Sequence, residues 1–178
     1  MTDKLGETDL YALFRQHGIA WVHHTHPPLF TVEESKALRG ALPGAHVKNM
    51  FLKDKKDQVW LVTCLEHRKI RIRDLEKEVG AAKASFGKPD LMWDLLGITP
   101  GAVSPFGLIN DVAHRVHVVL DRQMLDIDPI NAHPLHNEAT TAVSTADFRR
   151  FFAITGHDPV IVDFDALEEK ERARTAAA

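Results

Sequence analysis

Lys48 stands inside an apolar stretch, Val47-Lys48-Asn49-Met50-Phe51-Leu52. On a strand, alternation puts Lys48 on the face of Met50 and Leu52, and Val47 and Asn49 on the opposite one. A lysine among apolar neighbours costs free energy unless its ammonium reaches water or a partner. Two readings follow: the side chain snorkels to solvent, or it aims a cation into a pocket that receives an anion such as a terminal phosphate. A second stretch, Gly97 to Gly107, holds three glycines and two prolines around Gly101, Ala102, Val103, Ser104 and Pro105. Glycine lets such a loop bring its backbone close to a ligand, and its amides can form an oxyanion or phosphate nest. Most loops of this composition only turn the chain. A third, Ala132 to Thr141, leads from His133, His136 and Asn137 into a strand, and a single histidine there is more often structural than catalytic. The fourth is His23, His24 and His26. On a strand His24 and His26 share a face and His23 does not, so the three or four convergent ligands of a zinc site are lacking and no metal is expected.

Composition narrows the classes. At 178 residues, with 44% apolar and 26% charged content, the chain reads as one ordinary globular domain with a real core. No apolar run reaches the roughly 18 residues that a bilayer span requires. The polar, acidic start from Met1 to Asp9 does not read as a signal peptide. A cytoplasmic protein with no membrane partner is expected. The lone cysteine, Cys64, excludes an internal disulfide and a cysteine-based zinc cluster. Net charge is −3, which weighs against a general nucleic-acid binder, and DNA is not expected as a partner. The distribution is uneven. From His46 to Asp90 there are 11 Lys/Arg against 7 Asp/Glu, and elsewhere 11 against 18. Such a local excess marks either a phosphate-facing surface or a solvated tip, here Lys53-Asp54-Lys55-Lys56-Asp57.

The elements that must hold these residues are legible in outline. Thr8 can cap a first helix through Leu10, Leu13 and Phe14, ended by Gly18, and Ile19 to His24 reads as a strand. Thr31 and Glu34 form a capping box that opens a helix to Leu38. Val47 to Leu52 and Gln58 to Cys64 flank the charged tip as a hairpin. Helices are expected over 73–79 and 89–96, the second with proline in its first turn and Gly97 after its last. Arg115 to Leu120 alternates as a strand. Ala146 to Thr155 is a helix capped from Ser144 or Thr145, Pro159 to Phe164 a last strand, and the Ala-rich end a helix. Strands and helices mix without a βαβ rhythm, which points to α+β.

Read in order, these stretches resemble the YbaK/prolyl-tRNA-synthetase-associated family. The resemblance rests on His26 to Glu34, Val47 to Asp54, and the G-x-x-x-P loop from Gly101 to Asp111. It continues through His133-Pro134-Leu135 with Asn137, Ala139, Thr140 and Thr141, then Gly156-His157 with Ile161 to Phe164, and so spans about Glu7 to Phe164. Within the family the likeness is to freestanding editing proteins resembling ProXp-ala. It implies an α+β fold, a mixed, partly closed β-barrel-like sheet surrounded by helices over 1–165, with 166–178 as a helical or frayed tail. It also implies hydrolysis of an aminoacyl ester, alanine wrongly attached to proline tRNA, with no cofactor. The partner would be the acceptor end of mischarged tRNA(Pro), with prolyl-tRNA synthetase or an elongation factor as further candidates.

Carried over by position, Lys48 matches the family lysine that helps hold the terminal nucleotide. Gly101, with Ala102, Val103, Ser104 and Pro105, matches the segment lining the reacting ester. His133 matches the histidine that sizes the amino-acid pocket, and Asn49 and Asn137 are expected to position substrate. Glu138 departs from the family pattern, and Leu65 to Arg73 is more basic than expected. No G-x-S-x-G elbow or Ser-His-Asp order is present, in keeping with a site that lacks a protein nucleophile. Two alternatives stay open: a deacylase for cysteinyl or another small aminoacyl-tRNA, and a non-catalytic module of the same fold that binds tRNA or a synthetase.

Overall fold

The computed structural model describes residues 3–39 and 42–178. Helix α1 (Glu7–Gln16) buries Leu10 and Phe14. It begins two residues before the start that a Thr8 cap would set, because the Gly6 amide donates to the Asp9 carboxylate and acidic side chains suit a helix N-terminus. Strand β1 (Trp21–Thr25) follows, then α2 (Val32–Arg39). The expected reciprocal cap opens α2: Glu34 N–H donates to Thr31 Oγ1, and the Glu34 carboxylate accepts from the Phe30 and Thr31 amides. Strands β2 (Ala45–Lys53) and β3 (Val59–Leu65) form the expected hairpin, paired from Val47↔Leu65 to Lys53↔Val59.

The remaining elements are α3 (Ile72–Val79), β4 (Ser85–Phe86), α4 (Pro89–Leu96), β5 (Val116–Asp121), β6 (Ile130–Ala132), β7 (Ala139–Val143), α5 (Thr145–Thr155), β8 (Val160–Val162) and α6 (Phe164–Ala176). Ser144 Oγ caps α5 by accepting from the Asp147 amide. The strand expected to run to Phe164 stops at Val162. Asp163 accepts from the Ala166 amide, caps α6, and makes Phe164 the first helical residue.

The strands form one mixed sheet in the order β1-β7-β6-β2-β3-β5-β8, with β4 also on β2. The path does not close on itself, so the barrel-like sheet is an open one within an α+β fold. The long β2 serves both halves, pairing parallel to β6 through Ala45 and His46 and antiparallel to β4 through Leu52 and Lys53. Residues Val47 to Met50 therefore have β3 as their ladder partner on one side and face a gap on the other, while the Phe51 carbonyl accepts from the Gly87 amide after β4. Alternation along β2 feeds two cores. Phe51 joins Phe14, Phe106, Phe148, Phe151 and Phe152, whose rings meet mostly edge to face. Leu52 joins Trp60, Val62, Cys64, Leu75, Phe164 and Leu167 on the other side. Packing on both faces explains why all of β3 is buried and apolar apart from Thr63.

Candidate active site

The gap along β2 is the floor of a cleft of about 310 Å3. Lys48 and Asn49 of β2, Gly101 and Val103 of the loop after α4, Phe30 and Thr31 before α2, Glu66 and His133 line it. Five places far apart in sequence thus meet in one site.

Lys48 has the face that alternation assigns it. Its ladder partner is Cys64, and its ammonium donates to the Arg68 carbonyl. That carbonyl is held from behind. The Arg68–Lys69 peptide presents its N–H to Glu168 of α6 at 2.9 Å, and a planar trans peptide then turns its C=O the opposite way, toward Lys48. The Arg68 side chain is buried and its fork is fully used: Nε and Nη2 donate to Asp121, Nη1 to Asp165 and Glu168, and Nη2 also to Gln123. Asp121 accepts from the Leu65 amide as well, which ties the end of β3 into the same network. Burial pushes the Cys64 thiol up to about 12, more than nearby Lys48 pulls it down, so Cys64 is a packing residue and no nucleophile.

The loop after α4 turns sharply at Thr99-Pro100-Gly101-Ala102. The Ala102 amide donates to Thr99 O, and Gly101 has φ of +91°, a type II turn with proline and glycine at its two central positions. Gly101 and Val103 reach the cleft. Ala102, Ser104 and Pro105 do not: all three are buried, and the Ser104 hydroxyl accepts from the Phe106 amide to start a 3-10 helix over Pro105–Asn110. The turn that exposes Gly101 leaves these three neighbours packed inward, so of the expected loop segment Gly101 and Val103 line the cleft.

Asn49 faces the opposite side of β2 from Lys48. Its Nδ2 donates to Val103 O at 2.9 Å and its Oδ1 accepts from Thr63, so it fastens the loop to the sheet. Asn137 sits by the loop as well. A Cβ added to Gly101 would lie 3.7 Å from Asn137 Nδ2 and 3.8 Å from Phe30. The His133 ring is fixed by Nδ1 against Ala139 O at 2.8 Å. His133, Asn49, Val47 and Leu29 also line a smaller inner recess of about 30 Å3, completed by Asn131, Ala132 and Thr140. Sequence reading missed Phe30, Glu66 and Asn131. Phe30 is 76% exposed at the mouth of the cleft, an unusual place for a large aromatic ring. Its position after Pro27-Pro28 and before the capping box was a readable signal, because that cap fixes its backbone amide.

The histidine cluster is dispersed. His23 bonds Tyr11 and Thr25, whereas His26 lies beyond β1 with Nε2 on Thr140 Oγ1. Among the described residues no group of three His, Cys, Asp or Glu is placed to hold a metal ion, and no helix is long and apolar enough to cross a membrane.

The family model of the aminoacyl-tRNA editing domain matches residues 26–151, a span containing every cleft residue named above. The chain belongs to this editing-domain family. The editing domain is 41% identical over 145 residues to the prolyl-tRNA synthetase associated domain-containing protein 1 of Bos taurus, covering 79% of this chain and 84% of that one. It is 35% identical over 133 residues to the prolyl-tRNA editing protein ProX of Acetoanaerobium sticklandii, covering 74% and 81%. In fold it is similar to the crystal structure of hypothetical protein APE2540, with TM-score 0.68, 21% identity and coverage of 88% and 97%. A structure provisionally described as a trans-editing enzyme for prolyl tRNA synthetase gives TM-score 0.66 at 18% identity, over 88% and 94% of the chains. The family expected from the motifs is thus the family found.

Proposed function

We propose that this editing domain is a trans-acting deacylase that hydrolyses alanyl-tRNA(Pro) to alanine and tRNA(Pro), acting in the cytoplasm. The observation that carries the reading is the pair of nested spaces with His133 at their junction. The outer cleft suits a terminal nucleotide, and the inner recess of about 30 Å3 suits the two small groups that alanine carries on its α-carbon. Proline joins those two groups through a ring with two further carbons and is excluded by size. Cysteine adds a single sulfur, a difference worth only about 1–3 kcal/mol in such a pocket, so cysteinyl-tRNA(Pro) is the second substrate to test. The names of the relatives support tRNA(Pro), and prolyl-tRNA synthetase or an elongation factor would deliver it.

The chemistry needs little from side chains because an aminoacyl ester is already activated. Water adds to the ester carbonyl, the bond to the ribose oxygen breaks, and that oxygen leaves with the proton that water gives up. Lys48 pairs with the terminal phosphate as a point charge. The loop amides of Gly101 and Val103 receive the oxyanion, the Ala102 amide being already bonded to Thr99. The free vicinal hydroxyl of the terminal ribose orients the water, a contribution on the order of 10²–10⁴ in rate.

The deciding measurement is deacylation of alanyl, cysteinyl, seryl and prolyl tRNA(Pro) by the purified protein. Alanyl ester should be cleaved far faster than prolyl ester. Equal rates on these two would sink the substrate assignment, and binding without cleavage of any would leave a tRNA-binding module.

A further inference from the structure

The inner recess makes one chemical demand that the protein leaves unmet. Of its polar side chains, Asn49 is bonded at both ends, His133 is bonded to Ala139 and Thr140 to His26. Asn131 differs. It is 3% exposed, and its Nδ2 donates to Pro43 O at 3.0 Å and Ala45 O at 3.2 Å. Those two bonds fix which way the amide faces. The carbonyl end, Oδ1, is buried without a partner. An unsatisfied buried acceptor costs about 1–3 kcal/mol, and Asn131 is one of the residues that line the recess, so a donor reaching Oδ1 from there would relieve that cost. The other walls, Leu29, Val47 and Ala132, are apolar. The recess therefore offers one surface for a methyl-sized group and one acceptor for an N–H.

We propose that Asn131 Oδ1 accepts a hydrogen bond from the α-amine of the aminoacyl group, making the recess a subsite for small α-amino acyl esters. This rests on the deacylase reading above and adds what that reading lacks, a means of telling an amino acid from a plain acyl group. Alanine fits both requirements: the methyl lies against Leu29, Val47 and Ala132 while the amine meets Asn131. In proline the amine is tied into the ring, so the donor cannot approach Asn131 without driving ring carbons into the same walls. Asn131 is in this sense a specificity-determining residue. It is placed by β6, whose pairing with β2 at His46↔Asn131 sets its depth beside the cleft.

The test compares alanyl-tRNA(Pro) with propionyl-tRNA(Pro), which has a hydrogen in place of the amine, each rate corrected for the ester's uncatalysed hydrolysis. The native protein should prefer the alanyl ester by on the order of 10- to 100-fold, the range for one hydrogen bond to a charged group. Asn131→Ala should abolish the preference. Asn131→Asp, which keeps an acceptor but loses both N–H donors, should retain it. Loss in both variants would assign the effect to the anchoring bonds on Pro43 and Ala45 and overturn the proposal, as would equal native rates on the two esters. Binding of non-hydrolysable 3′-amide analogues of alanyl- and propionyl-adenosine to the native protein needs no variant to fold. If no ester is cleaved, the deacylase reading fails by itself. The analogues then decide the subsite: a 10- to 100-fold tighter alanyl analogue supports it, and equal binding removes it.

Discussion

At the scale of single residues, the cleft separates side chains that open onto it from those that hold others in place. Lys48 lies on one face of β2 outside both core clusters and its ammonium reaches the Arg68 carbonyl, so its removal takes little from either core. Lys48→Ala should lose most deacylation while its circular dichroism and melting temperature stay close to native; full activity in the folded variant would remove Lys48 from the site. Phe30 offers an exposed face where an unpaired base would lie. Phe30→Ala should weaken binding of the tRNA end by about 1–3 kcal/mol, the usual worth of one base stacked on an aromatic ring, with the rate from the bound state nearly unchanged. A direct binding titration beside single-turnover rates separates the two effects. Lys48, Gly101 and His133 each break a local pattern in the sequence, as a charge in a strand, a glycine after proline and a histidine before a strand, but the ordered family resemblance is what marked them as site candidates. Asn131 breaks none. Its meaning comes from which atoms its amide touches, and a sequence holds no record of that.

Elements were legible where the chain punctuates itself. Pro89 and Gly97 bound α4, Thr31 with Glu34 opens α2, and the charged tip between Val47–Leu52 and Gln58–Cys64 makes the hairpin. β6 has three residues and no alternation to show, and it follows Pro129, so the strand that places Asn131 left no signal. The Gly101 turn carries a prediction of its own. A Cβ there meets nothing closer than 3.7 Å, so the obstacle to Gly101→Ala is φ of +91° alone. The variant should fold, lose roughly 1–3 kcal/mol of stability, and lose more activity than stability because the turn relaxes away from the cleft. The link from α6 to Lys48 is also an element-scale device. Glu168→Ala frees the Arg68–Lys69 peptide and should lower the rate on the order of tenfold, with Glu168→Gln restoring most of it. Asp74→Ala loosens the same helix elsewhere by removing the Arg174 pair, and should leave the rate alone. Equal losses in Glu168→Ala and Asp74→Ala, at equal melting temperature, would reduce the link to general stability.

For the whole molecule, buried carboxylates join parts that the sheet alone does not hold together, and this fixes how stability depends on pH. Burial pushes Asp111 up, yet bonds from His157, Arg115 N and Val116 N outweigh it and hold the carboxyl below its ordinary value of 3.8. Glu168 and Asp74 are likewise held low, Glu168 against its burial by the Lys69 amide and Arg68, Asp74 chiefly by Arg174. A folded-state value below the unfolded one means that the charged form binds the fold. The stabilisation is therefore fully present above about pH 5 and is lost as pH falls through the depressed values, below about pH 4. Urea midpoints should be level from pH 5 to 7 and fall steeply below 4. Asp111 isolates one share of this fall, since its neighbours come from the start of β5 and the residue after α5's closing Gly156, two points 41 residues apart that only the fold brings together. Asp111→Asn should be less stable than native at pH 7, melting lower by about 2–4 °C for each kcal/mol lost. As pH drops, the native carboxyl takes up its proton and comes to resemble the amide, so the two stability curves should converge. Curves that stay parallel down to the acid transition would show that Asp111 contributes by shape alone, and that the acid limb belongs to the network around α6.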